Sequence, residues 1–144
     1  MSTTLTEDRV AARLAHVEEH ARAENAHELD ALVATFGDRP FWEDRASSET
    51  HQGRDGVHAY YADLFAGFPD FHFYVDRRHV AADAVILEVT VHGTHTGTWK
   101  GIPPTGRHVT FPVCVVFTFD DTDRIQAETA YFDRLTVLTQ LGVA

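Results

Sequence analysis

The sequence predicts an α+β fold in which three amphipathic helices cover one face of a strongly curved, antiparallel-rich sheet. Three observations carry this. Apolar residues recur at helical spacing through the first half of the 144 residues. Past Pro69 the period changes from about 3.6 to 2. Clusters of Gly, Pro and Asp then cut the second half into strands. Helices followed by strands bury their apolar sides by packing as layers, and long strands that curl under helices leave an apolar hollow. One domain accounts for the whole chain.

Each element has a local reason. Thr4-Leu5-Thr6-Glu7 has capping-box spacing, and Val10, Leu14 and Val17 repeat on one helix face, so a first helix is expected from about Thr6 to Ala23. Leu29, Leu32, Val33 and Phe36 at i, i+3, i+4 and i+7 predict a second helix ending near Gly37. A short strand is expected over Phe41 to Arg45, then a polar loop from Ser47 to Gly53. Val57, Tyr60, Tyr61, Leu64 and Phe68 form the third helical stripe, which Pro69 stops. Phe71, Phe73 and Val75 alternate with polar neighbours as a strand, and Val85, Leu87, Val89 and Val91 do so as a second. The turn cluster Gly101 to Gly106 leads to a long apolar strand, Val109 to Phe119, where Pro112 suggests a bulge or an edge. After the turn Asp120 to Asp123 come a last strand, Ile125 to Phe132, and a terminal helix bearing Leu135, Leu138 and Leu141 and closed by Gly142.

Composition excludes several function classes. Hydrophobic residues are 44% of the chain, enough for a core and a pocket. A net charge of −10, with twelve Lys and Arg that form no run, disfavours nucleic acid and anionic membranes as partners. No segment approaches a bilayer-spanning length and the N-terminus lacks signal-peptide character, so a cytoplasmic location is expected. A single cysteine, Cys114, permits neither an internal disulfide nor a thiolate metal cluster.

Three motifs in order carry a family resemblance: His92-Gly-Thr-His-Thr-Gly97, Gly101-Ile-Pro-Pro-Thr-Gly106, and Tyr131-Phe-Asp133 through Gln140-Leu-Gly142, with Phe68-Pro-Asp70 before them. From the second helix onward the chain resembles the SnoaL-like polyketide cyclases, a branch of the nuclear transport factor 2 superfamily. The resemblance implies a cystatin-like cone and a homodimer. It also implies a cofactor-free enzyme that closes a polyketide ring by intramolecular aldol reaction, using an aspartate matched by Asp133. Many members carry Trp at the position of Thr129, so a differently shaped pocket is implied here.

The residues themselves suggest how such a site would work. Strand alternation places Ile125, Ala127, Thr129, Tyr131 and Asp133 on one face. If that face lines the hollow, desolvation raises the pKa of Asp133 and suits it to proton transfer beside a carbonyl. The alternative is that Asp133 caps the terminal helix. His95 shares parity with Val89 and Val91, as a partner for Asp133 or as a rim histidine bonded to backbone. His92 and His95 point to opposite faces and cannot share a metal; no metal or other cofactor is expected. His16-Val-Glu-Glu-His20 matches an inverted zinc-protease pattern, but without a third ligand it reads as a solvated helix face. Phe36, Trp42, Tyr60, Tyr61, Phe65 and Trp99 form either an aromatic wall for a small apolar or aromatic ligand or plain core, Cys114 reads as buried filler, and Asp70 closes a turn. Isomerase, dehydratase or epoxide hydrolase chemistry and a non-catalytic binding or dimerisation role are the alternatives to cyclisation. A half-apolar outer sheet face bearing Ile86, Cys114 and Val116 favours the homodimer.

Overall fold

The computed structural model describes residues 5–144, so Thr4 of the expected capping box lies outside the described residues. The chain forms α1 (Glu7–Asn25), α2 (Leu29–Val33), β1 (Phe36–Asp44), β2 (Glu49–Gln52), α3 (Gly53–Gly67), β3 (His72–Val80), β4 (Val85–Thr94), β5 (His108–Phe119), β6 (Ile125–Tyr131) and α4 (Arg134–Leu141). The six strands make one curved sheet in the order β2-β1-β6-β5-β4-β3. All neighbours are antiparallel except β1 and β6, which run parallel.

Local chemistry explains the boundaries. Thr6 caps α1 by accepting the amide of Arg9, and Glu7 and Asp8 occupy its positively polarised first turn. Gly142 ends α4 at φ 77°, a conformation that a side chain would strain. The second helix is shorter than its apolar spacing suggests. It stops at Val33, and Phe36, buried as expected, opens β1 instead. The polar loop after β1 contains a further strand, β2, which pairs Glu49–Gln52 with β1 through backbone groups that need no apolar pattern.

Pro112 lies in an unbroken β4–β5 register opposite Thr90. Pairing of β5 with β6 starts only at Cys114, so Pro112 has no ladder on that side and its missing N–H costs none. The bulges fall elsewhere. In β3 the register slips between Val75 and Arg77. In β6, Thr118 pairs with Ala127 and Phe119 with Ile125, leaving Gln126 as an extra residue. This second bulge reverses the facing of everything after it, so Glu128 and Ala130 are buried beside Ile125, while Thr129 is half-buried and Tyr131 is 48% exposed.

The core lies between α1 and α3 and the concave sheet face, with Leu32, Phe36, Tyr61, Val85, Phe117 and Ile125 almost fully buried. Gly67 permits the end of α3 to approach the β4–β5 connection, since a Cβ there would lie 2.7 Å from Cβ of Trp99. No helix among the described residues is long and apolar enough to cross a membrane.

Candidate active site

A partly open cavity of about 90 Å³ sits between the helices and the concave sheet face. Its walls are aromatic and aliphatic, with Trp42 and Tyr60 stacked at 3.7 Å and Val89, Val91, Phe111 and Phe132 contributed by the sheet. Its polar groups are few and concentrated: His20 and Glu24 from α1, Tyr61 from α3 and Glu128 from β6. His20 is 2% exposed, Glu24 8% and Glu128 5%.

The helix and the bulge bring these groups together. His20 and Glu24 are four residues apart and therefore share one face of α1. The bulge at Gln126 turns Glu128 inward to meet them. Thr35 Oγ1 donates to the Leu32 carbonyl at 2.7 Å, so at 3.0 Å it accepts from Nδ1–H of His20. That bond aims Nε2 at Glu128 Oε2, 3.2 Å away, and at Glu24 Oε1, 3.5 Å away. Tyr61 Oη donates to the same Oε2 of Glu128 at 2.6 Å. Burial by itself would lower the His20 pKa, but the two carboxylates overcome it and push the imidazole up to about 10. His20 is accordingly an imidazolium at neutral pH. Burial raises the pKa of Glu24, with the Glu128 charge adding to it and His20 opposing it. Burial, reinforced by both carboxylates, likewise holds the Tyr61 phenol well above its usual range.

This arrangement provides a buried carboxyl group of raised proton affinity, a fixed cationic donor and a phenol donor, all at one wall of an apolar chamber. Trp42, the neighbour of Glu128 across the β1–β6 pairing, has its indole N–H buried without a partner among the described residues. Ligand atoms of His20, Glu24 and Glu128 lie within 4.8 Å of one another, so these three side chains are the ones that could approach a cation together among the described residues.

The residues proposed from sequence distribute unevenly. Trp42, Tyr61 and Trp99 line the cavity, as does Tyr60. Phe36 is fully buried but packs edge-on against the His20 ring at 5.4 Å, behind the cavity wall. Asp133 does not project into the hollow. Its carboxylate caps α4, accepting from the Leu135 amide at 3.0 Å and the Thr136 hydroxyl at 2.7 Å, and these bonds, led by Thr136, lower its pKa. Thr129 and Tyr131 also lie on the outer side, because the bulge at Gln126 inverts the expected alternation. His95 is fully buried, but against the Phe68 ring, with Nδ1 at 3.0 Å from Thr105 Oγ1, away from the cavity lining. His92 lies on the outer face beside His72, on the opposite side from His95. His16 bonds the Asp123 carbonyl at 2.8 Å, so the two histidines of the zinc-protease pattern part company, and His20 is not solvated. Cys114 is half-buried on the outer face rather than filling the core. Asp70 ties the start of β3 to the end of β4 through the amide and hydroxyl of Thr94.

Sequence reasoning missed His20, Glu24 and Glu128. A signal existed for the first two, since the stripe Val10, Leu14, Val17 continues at helical spacing through His20 and Glu24. For Glu128 the simple alternation pointed outward, and only the bulge reverses it.

Comparison with known proteins agrees with the fold. A candidate SnoaL-like polyketide cyclase from Jannaschia sp. CCS1 superposes with a TM-score of 0.81 at 22% identity, over 100% of this chain and 99% of that one. A protein of ketosteroid isomerase-like fold from Catenulispora acidiphila, solved with trimethylamine, gives 0.77 at 21% identity over 90% and 93% of the chains. An LEH-like epoxide hydrolase from M. tuberculosis gives 0.72 at 22% identity over 91% and 90%. No curated protein matches the sequence. The sequence model of the SnoaL-like polyketide cyclases matches residues 14–141, and with the cone and cavity in place the chain belongs to that family.

Proposed function

We propose that the protein is a cofactor-independent acid/base enzyme acting on a small, largely apolar carbonyl compound, with intramolecular aldol ring closure as the specific reaction. The observation that carries this is the pair of buried carboxylates flanking His20 at the wall of an apolar cavity. Glu24, whose proton affinity burial raises, removes the proton beside the carbonyl and returns it to the new alkoxide. The His20 imidazolium and the unpartnered Trp42 N–H are donors for the oxygen on which negative charge develops. Glu128, held by Tyr61 and His20, fixes the imidazolium in place. The same groups would serve an isomerase or an epoxide opening, so the reaction class rests on the family and the proton-transfer step on the geometry.

The test is deuterium exchange at the α-carbon of small cyclic ketones in D₂O, followed by NMR. Wild type should exceed buffer, and Glu24→Gln should remove most of the excess. A second reading, a non-catalytic ligand-binding protein, has its own support: Asp133, which matches the family's working aspartate, is a solvent-facing helix cap. Wild-type exchange no faster than buffer would favour that reading.

In the same proposal the outer sheet face pairs two copies. Ile86, Cys114 and Val116 are half-buried there and Tyr131 is exposed. Sedimentation at micromolar concentration should show a dimer, and a monodisperse monomer would refute it.

A further inference from the structure

Acidic side chains outnumber basic ones in the cavity. Glu24 and Glu128 line it against His20, and no lysine or arginine is among its lining residues. Both contacts that hold Glu128, from Tyr61 Oη and from His20 Nε2, fall on Oε2, and Oε1 accepts no hydrogen bond among the described residues. Glu24 meets His20 through Oε1 only, at 3.5 Å. Carboxylate oxygen therefore remains available inside an aromatic chamber whose rings include Trp42, Tyr60, Phe71, Trp99, Phe111 and Phe132. Ring faces present negative potential, which attracts a cation removed from water among them. The net charge of −10 adds a field of the same sign, which draws cations and repels anions.

We infer that the cavity takes a small organic cation, a protonated or quaternary amine whose charged head sits among the aromatic rings beside Glu24 and Glu128. The inference rests on the reading of the cavity as a ligand site and specifies its substrate class, a carbonyl compound bearing an amine. Size agrees. The cavity of about 90 Å³ is smaller than the ~150 Å³ engineered apolar cavity that binds benzene, so a trimethylammonium-sized head fills it while a longer chain extends toward solvent.

Proton coupling follows from the same groups. Glu24 faces His20 on its own helix, Glu128 from β6 and Tyr61 from α3, and its pKa is raised, first by burial. A cation beside Glu24 favours its carboxylate form and releases a proton where Glu24 is protonated in the free protein. Cation binding therefore strengthens as pH rises through the Glu24 titration, while His20 remains charged up to about pH 10.

Three probes of similar shape test this: choline, its neutral carbon analogue 3,3-dimethylbutan-1-ol, and the anion 3,3-dimethylbutanoate. Binding is followed at pH 8 by fluorescence of the cavity tryptophans and by saturation-transfer NMR. Choline should bind about tenfold or more tightly than the neutral alcohol, which the cation–π gain alone would supply. The carboxylate should not bind. Glu24→Gln and Glu128→Gln should each reduce the preference for choline while retaining binding of the alcohol, which also reports that each variant is folded. Equal affinity for choline and the alcohol overturns the cation assignment and leaves the ligand cavity standing. Choline binding unchanged in both Gln variants also overturns it, because attraction by surface charge then explains the preference. Binding of none of the three overturns both the assignment and the cavity reading.

Discussion

Two carboxylates at opposite ends of one structural unit, Glu24 and Asp133, have opposite fates. Asp133 sits where β6 meets α4, open to water, and donors from Thr136 and Leu135 favour its charged form. Glu24 sits on the buried side of α1, where removal from water and the Glu128 charge favour its neutral form. The residue types are nearly equivalent chemically. Their surroundings make one a helix cap and the other a buried group of raised proton affinity, so the environment rather than the motif locates the chemistry.

The largest effect that could break this comparison is on turnover. Glu24→Gln should lower α-proton exchange by about two orders of magnitude or more, the usual contribution of a positioned acid/base, whereas Asp133→Asn should leave it within about twofold. The reverse pattern would move the reaction to the C-terminal end of β6. Next in size is stability. Phe117 is buried and meets the His20 ring edge-on at 5.1 Å, so Phe117→Ala should cost about 3–5 kcal/mol in denaturant titration. A much smaller loss would mean that the wall around His20 collapses easily and does not hold the buried acid cluster rigidly.

The pH dependence sharpens the comparison further. The His20 ring should titrate near pH 10 by NMR, against about 6.5 for an unperturbed histidine. Because the folded-state pKa exceeds the unfolded one, this group's contribution to stability is complete below about pH 6.5 and is lost as pH rises toward 10. Thr35→Val removes the acceptor that holds Nδ1 and should bring the midpoint down; a wild-type midpoint near 6.5 would contradict the ion-paired cluster. The smallest effect belongs to the cap. Asp133→Ala should lower Tm slightly and Asp133→Asn should restore it, since Asn is a comparable cap. Failure of Asn to restore it would show that the charge of Asp133, and not only its hydrogen bonds, is needed.

Periodicity in the chain alone determined the three helical stripes, the strands of the second half, the α+β class and the family motifs, because each follows from residues near one another in sequence. Trp42, Tyr61 and Trp99 were legible as inward-facing rings, wall or core, for the same reason, since large rings at helix and strand spacing point to the inside of the fold; that they line a cavity was decided by the tertiary structure. Only the tertiary structure decided which carboxylates share the cavity. The bulge at Gln126 depends on how β6 meets β5 and β1, and one extra residue turns Glu128 inward and Thr129 and Tyr131 outward. The length of α2 was settled by competition, as pairing with β6 claimed Phe36 for a strand. The pKa of His20 arises from Glu24 one turn away on the same helix and Glu128 more than a hundred residues later, and no local pattern records a Coulomb interaction across that separation.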